Sequence, residues 1–184
     1  NESPLQIISV GNYTPRKGFH VLIQAMSIIA KNNPDLLPNL RLHLVGNRSF
    51  SPDYVKHLQN LIAKSNLEEY VFLDDWKTTE EISQLYTKSQ LFAFASSSEG
   101  FGMVVLEAML HGLPVLLGDF HVAPELLGTN SKAGSIIPGN SPKTFASEII
   151  RYLQEKNKSE LGKFSRKRGL EMAFSWDDVV SRFE

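Results

Sequence analysis

The sequence contains no cysteine, which excludes disulfide bonds, thiol nucleophiles and cysteine-ligated zinc sites. Its apolar runs are all shorter than the ~18 residues that a membrane-spanning helix needs. The formal net charge is -1 over 184 residues, so no global excess of positive charge points to nucleic acid or to an anionic membrane surface. We therefore expect one globular domain with neither a membrane span nor a nucleic-acid partner.

Several motifs that bind phosphate or metal ions are missing as well. No G-x-x-x-x-G-K-[ST] occurs, which excludes a P-loop, and no G-x-G-x-x-G opens the first predicted helix, which argues against a nicotinamide domain. The Asp-Asp pairs at 74–75 and 177–178 do not form Asp-x-Asp, and the five histidines show no metal-ligand spacing. We therefore expect no metal and no cofactor.

Short apolar runs alternate with segments whose apolar residues recur at helical spacing. The predicted strands cover 5–11, 40–46, 70–76, 91–96, 114–120 and 134–138. The predicted helices cover 19–32, 51–66, a segment from 79, 103–111, 123–128, 142–156 and 158–173. This alternation predicts an α/β fold, a doubly wound, six-stranded parallel sheet that is Rossmann-like, with strand order 3-2-1-4-5-6 and helices on both faces. We expect residues 1–174 to form one domain and residues 175–184 a helical tail.

In a doubly wound sheet, ligands bind beyond the carboxyl ends of the strands, where the strand order reverses. Two Gly-rich loops, "GNYTPRKG" (11–18) and "SSSEGFG" (96–102), follow the first and fourth strands, so we expect them to form one crevice. The helix that begins next to Gly102 offers unpaired N–H groups and the positive end of its dipole. Gly100 and Gly102 permit a positive φ, and Lys17 adds a full charge. These features predict an anion site, usually for phosphate.

Two carboxylates flank this predicted anion site. Glu107 lies one turn into the helix, and Glu99 lies ahead of it on the loop. Eight helical positions span about 12 Å, so the two acids cannot both contact one phosphate. They can accept hydrogen bonds from hydroxyls on either side of a diphosphate, which is the layout of a nucleotide sugar. The alternative is an ordinary helix start with two solvated charges.

The stretch "EGFGMVVLEAMLHGLPVL" closely resembles the E-x7-E signature of the retaining GT-B glycosyltransferases of family four. "VGNYTPRKGFHVLIQAM" resembles the first βα turn of that family, "LRLHLVG" its second strand and "FSWDDVVSRF" its closing helix. The resemblance covers residues 5–184 and concerns the carboxy-terminal, donor-binding half of the enzyme. It implies a Rossmann-like donor domain whose amino-terminal acceptor domain is absent from this chain.

The resemblance implies a role for both acids and for one lysine. Glu99 aligns with the acid that contacts the transferred sugar, and Glu107 aligns with the acid that binds the ribose hydroxyls. Lys17 aligns with the lysine that neutralises the diphosphate leaving group, so Glu99 and Lys17 are the implied catalytic residues. The other implied donor-binding residues lie around the crevice: Gly11, Asn12, Arg16, Trp76, Lys77, Gly100, Phe101, Gly102, Met103 and Val104.

Backbone groups and a base pocket complete the implied site. By the resemblance, Phe101, Gly102 and Met103 supply backbone contacts to the sugar and the phosphate. Trp76 and Lys77 follow the third strand, where the nucleobase pocket of the family usually forms. Negative charge builds on the departing diphosphate, so preorganised positive groups there lower the barrier without a metal ion.

Two routes stay open for the first acid of the signature. Glu99 is a covalent nucleophile in one of them. In the other, which the family favours, Glu99 holds the sugar while the acceptor attacks from the leaving-group side.

The sequence departs from the family pattern at two places. Asn12 stands where the family commonly has an arginine, and the neighbouring Arg16 is a candidate substitute for it. The stretch "LVGNRS" lacks the usual second glycine, which leaves the wall near Asn47 and Arg48 undefined. We therefore expect a diphosphate site with one cation fewer than usual unless Arg16 compensates.

The resemblance implies a retaining glycosyltransferase that moves a sugar from a nucleoside-diphosphate sugar to an acceptor, such as a polysaccharide or glycolipid precursor. The acceptor would bind through the missing domain, so this fragment alone is expected to transfer nothing. Two alternatives stay open: a non-catalytic sugar-nucleotide-binding module, and a nucleotide-sugar epimerase with GT-B architecture. We expect a cytoplasmic location, either free or peripheral at the inner face of a membrane.

A few polar residues lie outside this scheme. His20 and His111 lie near predicted helix ends and are expected to be structural, whereas His121 follows the fifth strand and is a weaker candidate for the crevice. The basic cluster "KFSRKRG" (163–169) is typical of a solvated helix face, with an anion or membrane patch as the alternative.

Overall fold

The computed structural model describes residues 3–128 and 132–180, with side chains described up to residue 173. Its sheet has six strands in the order β3-β2-β1-β4-β5-β6, and every neighbouring pair is parallel. This order confirms the predicted doubly wound fold. The strands are β1 Leu5–Val10, β2 Leu40–Val45, β3 Val71–Asp74, β4 Leu91–Phe94, β5 Val115–Gly118 and β6 Gly134–Ile137.

Helices connect the strands as the sequence predicts. They are α1 Phe19–Asn32, α2 Pro52–Lys64, α3 Thr79–Lys88, α4 Met103–Leu110, α5 Ala123–Leu127, α6 Pro142–Gln154 and α7 Lys158–Val180. Helix α7 runs on past residue 174, where we expected a separate tail to begin, and residues 181–184 of that tail lie outside the described residues. None of the helices described here combines the length and the apolar character that crossing a membrane requires.

Both faces of the sheet are covered, because side chains along each strand alternate between two hydrophobic cores. Ile7 belongs to the first core, which includes residues of α1, α2 and α6. Ile8, Phe92 and Phe94 belong to the second core, which includes residues of α3, α4, α5 and α7. Burial on both faces explains why the strands appear in the sequence as short continuous apolar runs.

All six strands end earlier than predicted at their carboxyl ends. The predictions extended β1 to Gly11, β2 to Gly46 and β4 to Ser96, whereas the strands end at Val10, Val45 and Phe94. The trailing residues have left the strands and belong to loops. These loops form the edge of the sheet at which β1 and β4 lie side by side.

The basic cluster at 163–169 contacts the carboxyl ends of two helices. Arg166 donates a hydrogen bond of 3.0 Å to the carbonyl oxygen of Leu110, the last residue of α4. Arg168 donates one of 3.0 Å to the carbonyl oxygen of Leu126 near the end of α5. Helix carboxyl ends carry unpaired carbonyls and a partial negative charge, so both arginines act as caps. These contacts favour a structural role for the cluster over an anion patch.

Candidate functional site

A cavity of about 510 Å³ opens at the carboxyl edge of the sheet, next to the place where the strand order reverses between β1 and β4. Its walls come from the loops after β1, β2 and β3 and from one side each of α3 and α4. The lining residues are Val10, Gly11, Asn12, Arg16, Lys17, Val45, Gly46, Trp76, Lys77, Thr79, Ile82, Ser83, Tyr86, Val104, Glu107 and His111. Eight of the residues that the sequence predicted for a donor site are among them.

The loop after β1 is held against β4 by a glycine. Gly18 has a φ of +70°, and a Cβ atom there would lie 2.0 Å from the carbonyl oxygen of Ala95. Only glycine adopts this conformation readily and leaves room for so close an approach. The adjacent residue, Lys17, is thereby placed directly beside the chain that leaves β4.

Lys17 and Glu99 form an ion pair at this point. The ammonium nitrogen Nζ of Lys17 lies 2.8 Å from Oε1 of Glu99, and the two side chains are only 13% and 10% exposed. The same nitrogen lies 5.0 Å from the centroid of the Phe94 ring, which adds a cation–π contact. The sequence predicted both residues as members of one site, and the structure brings them into direct contact.

Two further groups contact the same carboxylate oxygen. Nη1 of Arg16 lies 3.2 Å from Oε1 of Glu99, and the hydroxyl of Ser96 lies 2.5 Å from it. Arg16 also donates to the carbonyl oxygen of Ser98, while its own carbonyl accepts a 2.9 Å hydrogen bond from the N–H of Ser97. The two loops after β1 and β4 are therefore joined by side-chain and backbone bonds.

Helix α4 begins beside this ion pair. Gly102 is its N-cap with a φ of +70°, and no side chain caps the helix. Because the first N–H groups of a helix lack intrahelical partners, those of Met103 and Val104 are available to an anion. Gly100 does not use the positive φ that a glycine permits. The other five predicted donor residues, Glu99, Gly100, Phe101, Gly102 and Met103, are not among the lining residues, and Phe101 and Met103 are 62% and 55% exposed.

Glu107 lies one turn into α4, where Tyr86 contacts it from α3. Burial raises the pKa of the Glu107 carboxyl above its usual value, and a hydrogen bond with Tyr86 lowers it in part. Burial and the neighbouring carboxylate raise the pKa of the Tyr86 hydroxyl, which stays protonated. The hydroxyl of Tyr86 also donates a hydrogen bond of 3.3 Å to the carbonyl oxygen of Val104, which connects α3 to the first turn of α4.

His111 caps the end of α4 and lines the cavity. Its Nδ1 lies 2.8 Å from the carbonyl oxygen of Glu107, and its Nε2 lies 2.8 Å from the hydroxyl of Ser83. A carbonyl only accepts, so Nδ1 carries the proton. The structural role expected for His111 agrees with these bonds, but its place in the cavity wall was not predicted.

Sequence reasoning missed the contribution of α3 altogether. Thr79, Ile82, Ser83 and Tyr86 all line the cavity, and they recur at the i, i+3, i+4, i+7 spacing of one helix face. That spacing was the available signal. It shows that these residues share a face, although only the fold shows that this face turns towards the site.

The far wall of the cavity comes from the loop after β3. Trp76 and Lys77 both line it, as the sequence predicted, and Trp76 is 69% exposed. The loop is short because Thr78 immediately caps α3: its side chain accepts from the N–H of Glu81, and the Glu81 carboxylate accepts from the N–H of Thr78. This capping box fixes where the loop ends.

Three other candidates lie outside the cavity wall. His121 is exposed and does not line the cavity, so its weaker candidacy is not supported. Asn47 and Arg48 do not line it either, and the neighbouring Gly46 forms that part of the wall. Among the side chains described, in residues 3–128 and 132–173, no three His, Asp or Glu come together in a way that could hold a metal ion.

Comparison with known proteins gives consistent matches. The family model for glycosyl transferases group 1 matches residues 1–168. Spore coat protein SA of Bacillus subtilis is 31% identical over 180 residues, covering 95% of this chain and 46% of that protein. O-antigen chain mannosyltransferase B of Escherichia coli is 28% identical over 175 residues, covering 94% of this chain and 43% of that protein. The chain therefore spans about half the length of the curated relatives that it matches.

Solved structures match in the same way. Anabaena Alr3699/HepE, in complex with UDP-glucose, is 26% identical with a TM-score of 0.78, and the match covers 97% of this chain and 49% of that chain. A glycosyltransferase from Rickettsia africae ESF-5 has a TM-score of 0.80 at 20% identity, covering 93% and 44%. The fold is thus one Rossmann-like half of a GT-B architecture. The partial coverage fits a carboxy-terminal, donor-binding half.

Proposed function

This chain belongs to the glycosyl transferases group 1 family, and we propose that it forms the donor site of a retaining glycosyltransferase that uses a nucleoside-diphosphate sugar. One observation carries the proposal: Lys17, Val104 and Glu107 line a single cavity where the strand order reverses. The cavity volume of about 510 Å³ lies within the roughly 300–1,000 Å³ of small-molecule sites. The UDP-glucose bound by Alr3699/HepE supports a donor of this class.

Lys17 neutralises the diphosphate in this proposal. A unit charge ~4 Å from a phosphate contributes about 4 kcal/mol near a protein surface. The amino end of α4 contributes about 0.3–2 kcal/mol. Lys17 therefore dominates the affinity, and the N–H groups of Met103 and Val104 fix the geometry. The same groups stabilise the negative charge that develops on the leaving diphosphate.

The two carboxylates bind the hydroxyls on either side of the diphosphate. Glu107 accepts from the ribose, and Glu99 accepts from the transferred sugar, next to the backbone of the Gly100–Met103 segment. The flat, exposed ring of Trp76 offers a stacking surface for the base, with Lys77 beside it. The acceptor attacks from the leaving-group side while Glu99 holds the sugar, so the anomeric configuration is retained.

The transfer proceeds without a metal ion in this proposal. The positive groups at the diphosphate are the ammonium of Lys17 and the amino end of α4, and the chain contains no Asp-x-Asp. Full activity after treatment with EDTA is the expected result. Loss of activity that returns with added Mg²⁺ or Mn²⁺ would show that a metal supports the leaving group.

The acceptor site belongs to the part of the protein outside this chain, because the chain spans about half the length of its relatives. The name of the Escherichia coli relative, an O-antigen chain mannosyltransferase, supports a polysaccharide or lipid-linked glycan precursor as acceptor. We place the protein in the cytoplasm, free or at the inner face of a membrane, where nucleotide sugars are available.

Titration calorimetry of the full-length protein with UDP, GDP and ADP tests the donor site. One of the three is expected to bind with a Kd of about 1 mM or tighter. The variant Lys17→Gln should weaken that binding, whereas Lys64→Gln, an exposed lysine at the end of α2, should not. Absence of binding by all three nucleotides would refute the proposal.

A further inference from the structure

We propose that Arg16 is a positioning residue for Glu99 and that, of these two adjacent cations, only Lys17 binds the diphosphate. The inference rests on the proposed function, since it assigns roles within the same donor site. Arg16 does not replace the arginine of the family pattern, for which Asn12 stands here.

Arg16 bonds to the loop after β4 through both its guanidinium and its backbone carbonyl. Its Nη1 donates to the carbonyl oxygen of Ser98 and lies 3.2 Å from Oε1 of Glu99. Its backbone carbonyl accepts a 2.9 Å hydrogen bond from the N–H of Ser97. A guanidinium that moved to the diphosphate would leave the Ser98 carbonyl without this donor. The ammonium of Lys17, in contrast, donates its hydrogen bond to the Glu99 side chain.

The contacts with Glu99 all converge on one of its two carboxylate oxygens. Arg16, Lys17 and Ser96 each contact Oε1, at 3.2, 2.8 and 2.5 Å. A carboxylate offers about four acceptor positions over its two oxygens. Fixing Oε1 with three donors therefore orients the group and leaves Oε2 to accept a hydroxyl of the sugar.

The two cations differ in the way that this division of roles requires. The ammonium of Lys17 is a compact charge on a flexible stem, which can transfer its donors from Glu99 to a phosphate that enters the cavity. The guanidinium of Arg16 is a rigid fork that bonds a carbonyl and a carboxylate together. When Lys17 turns to the diphosphate, Arg16 and Ser96 keep the Glu99 carboxylate in place.

Binding of the free nucleoside diphosphate separates the two roles, because it involves no transferred sugar. In the full-length protein, Arg16→Gln should change the Kd for the diphosphate by less than about threefold, since the guanidinium stays bonded to Ser98 and Glu99 on the loop after β4. Lys17→Gln should weaken it by more than about tenfold. The kcat of Arg16→Gln should fall by at least about tenfold, because Glu99 loses its orientation. Arg41→Gln, an arginine at the start of β2, is the control.

Equal weakening of diphosphate binding by Arg16→Gln and Lys17→Gln would overturn the assignment, since Arg16 would then be a phosphate ligand. If the unmodified protein binds no nucleoside diphosphate, the proposed function fails rather than this assignment. A purely structural role for Arg16 is tested by the double variant. In a Glu99→Gln background, Arg16→Gln should lower kcat no further, because the residue acts only through Glu99. A full additional loss in that background would also overturn the assignment.

Two milder variants complete the test. Ser96→Ala should lower kcat in the same direction as Arg16→Gln without changing diphosphate affinity, because Ser96 contacts the same oxygen. Arg16→Lys keeps the charge and should recover part of the kcat that Arg16→Gln loses. Failure of both expectations would mean that the orientation of Glu99 does not depend on these contacts.

Discussion

The ammonium of Lys17 and the carboxylate of Glu99 are 2.8 Å apart, although 82 positions separate them in the chain. Because of this contact, in the proposed site, Glu99 competes with a phosphate for Lys17, and Lys17 competes with a sugar hydroxyl for Glu99. A sugar that engages Glu99 does so beside a cation. In the proposed donor site, an incoming nucleotide sugar therefore meets a preformed pair of charges.

The first prediction concerns the neutral variant Glu99→Gln. With the competing carboxylate removed, Lys17 is free for the phosphate, so affinity for a nucleoside diphosphate should rise by about two- to tenfold. Transfer should fall by at least about 100-fold, since the hydroxyl of the transferred sugar loses the carboxylate to which it donates its hydrogen bond. Calorimetry and a transfer assay of the full-length protein measure the two effects. The matched control is Glu160→Gln, an exposed acid in the first turn of α7.

The outcome of that assay also separates the proposed function from its alternatives. A non-catalytic module would keep its biological function in the Glu99→Gln protein. An epimerase would interconvert free UDP-sugars with no acceptor present. Weaker diphosphate binding in Glu99→Gln would contradict the competition between Glu99 and phosphate.

The second prediction follows from the raised pKa of Glu107. A carboxyl whose pKa is raised in the folded state contributes stability below its ordinary pKa and loses it as the pH rises through the raised value. The glutamine side chain in Glu107→Gln does not titrate. The variant should therefore have a higher melting temperature than the unmodified chain at about pH 7 and a similar one at about pH 4. The same variant should bind nucleoside diphosphate more weakly. Thermal unfolding at the two pH values checks this, and a lower melting temperature at neutral pH would contradict it.

Much of the fold could be predicted because both faces of the sheet are buried. Strands such as β4, with Phe92 and Phe94 on one side and Ala93 on the other, must be apolar throughout, and this pattern is visible without a structure. The strand order then follows from the rules of doubly wound sheets. The strand ends were less predictable, since Gly11 and Gly46 extend the apolar runs but lie in the loops.

The contacts within the site could not be predicted in the same way. The sequence placed Lys17 and Glu99 on neighbouring loops, but an ion pair between them depends on the close approach of Gly18 to β4. Likewise, Tyr86 belongs to an amphipathic helix whose direction relative to α4 is a property of the tertiary packing. Helix α7 continues past residue 174, where the predicted tail begins, and no Gly or Pro interrupts it there.

The third prediction tests the capping role of the basic cluster. Arg168→Gln removes the bonds to the Glu125 and Leu126 carbonyls at the end of α5 and should lower the free energy of unfolding by about 1–2 kcal/mol. Lys167→Gln, an exposed neighbour on α7, should be nearly neutral. Urea denaturation measures both. If the two variants are equally stable but both lose binding to anionic vesicles, the cluster is an anion patch instead.

The fourth prediction compares two glycines of the loop before α4. Gly102 has a φ of +70°, and a Cβ there would lie 2.6 Å from Cδ1 of Leu126. Gly100 has no positive φ, and a Cβ there would meet no atom within 4 Å. Gly102→Ala should therefore destabilise the fold by about 1–2 kcal/mol through the left-handed backbone alone. Gly100→Ala should cost little.

The same pair of variants links the backbone to the function. Strain at Gly102 displaces the amino end of α4, so Gly102→Ala should also weaken nucleoside diphosphate binding, whereas Gly100→Ala should leave it unchanged. Urea denaturation and calorimetry on the two variants give the comparison. If Gly102→Ala loses stability but keeps its full affinity for nucleoside diphosphate, the N–H groups of Met103 and Val104 do not contact the phosphate, and Lys17 alone carries the site.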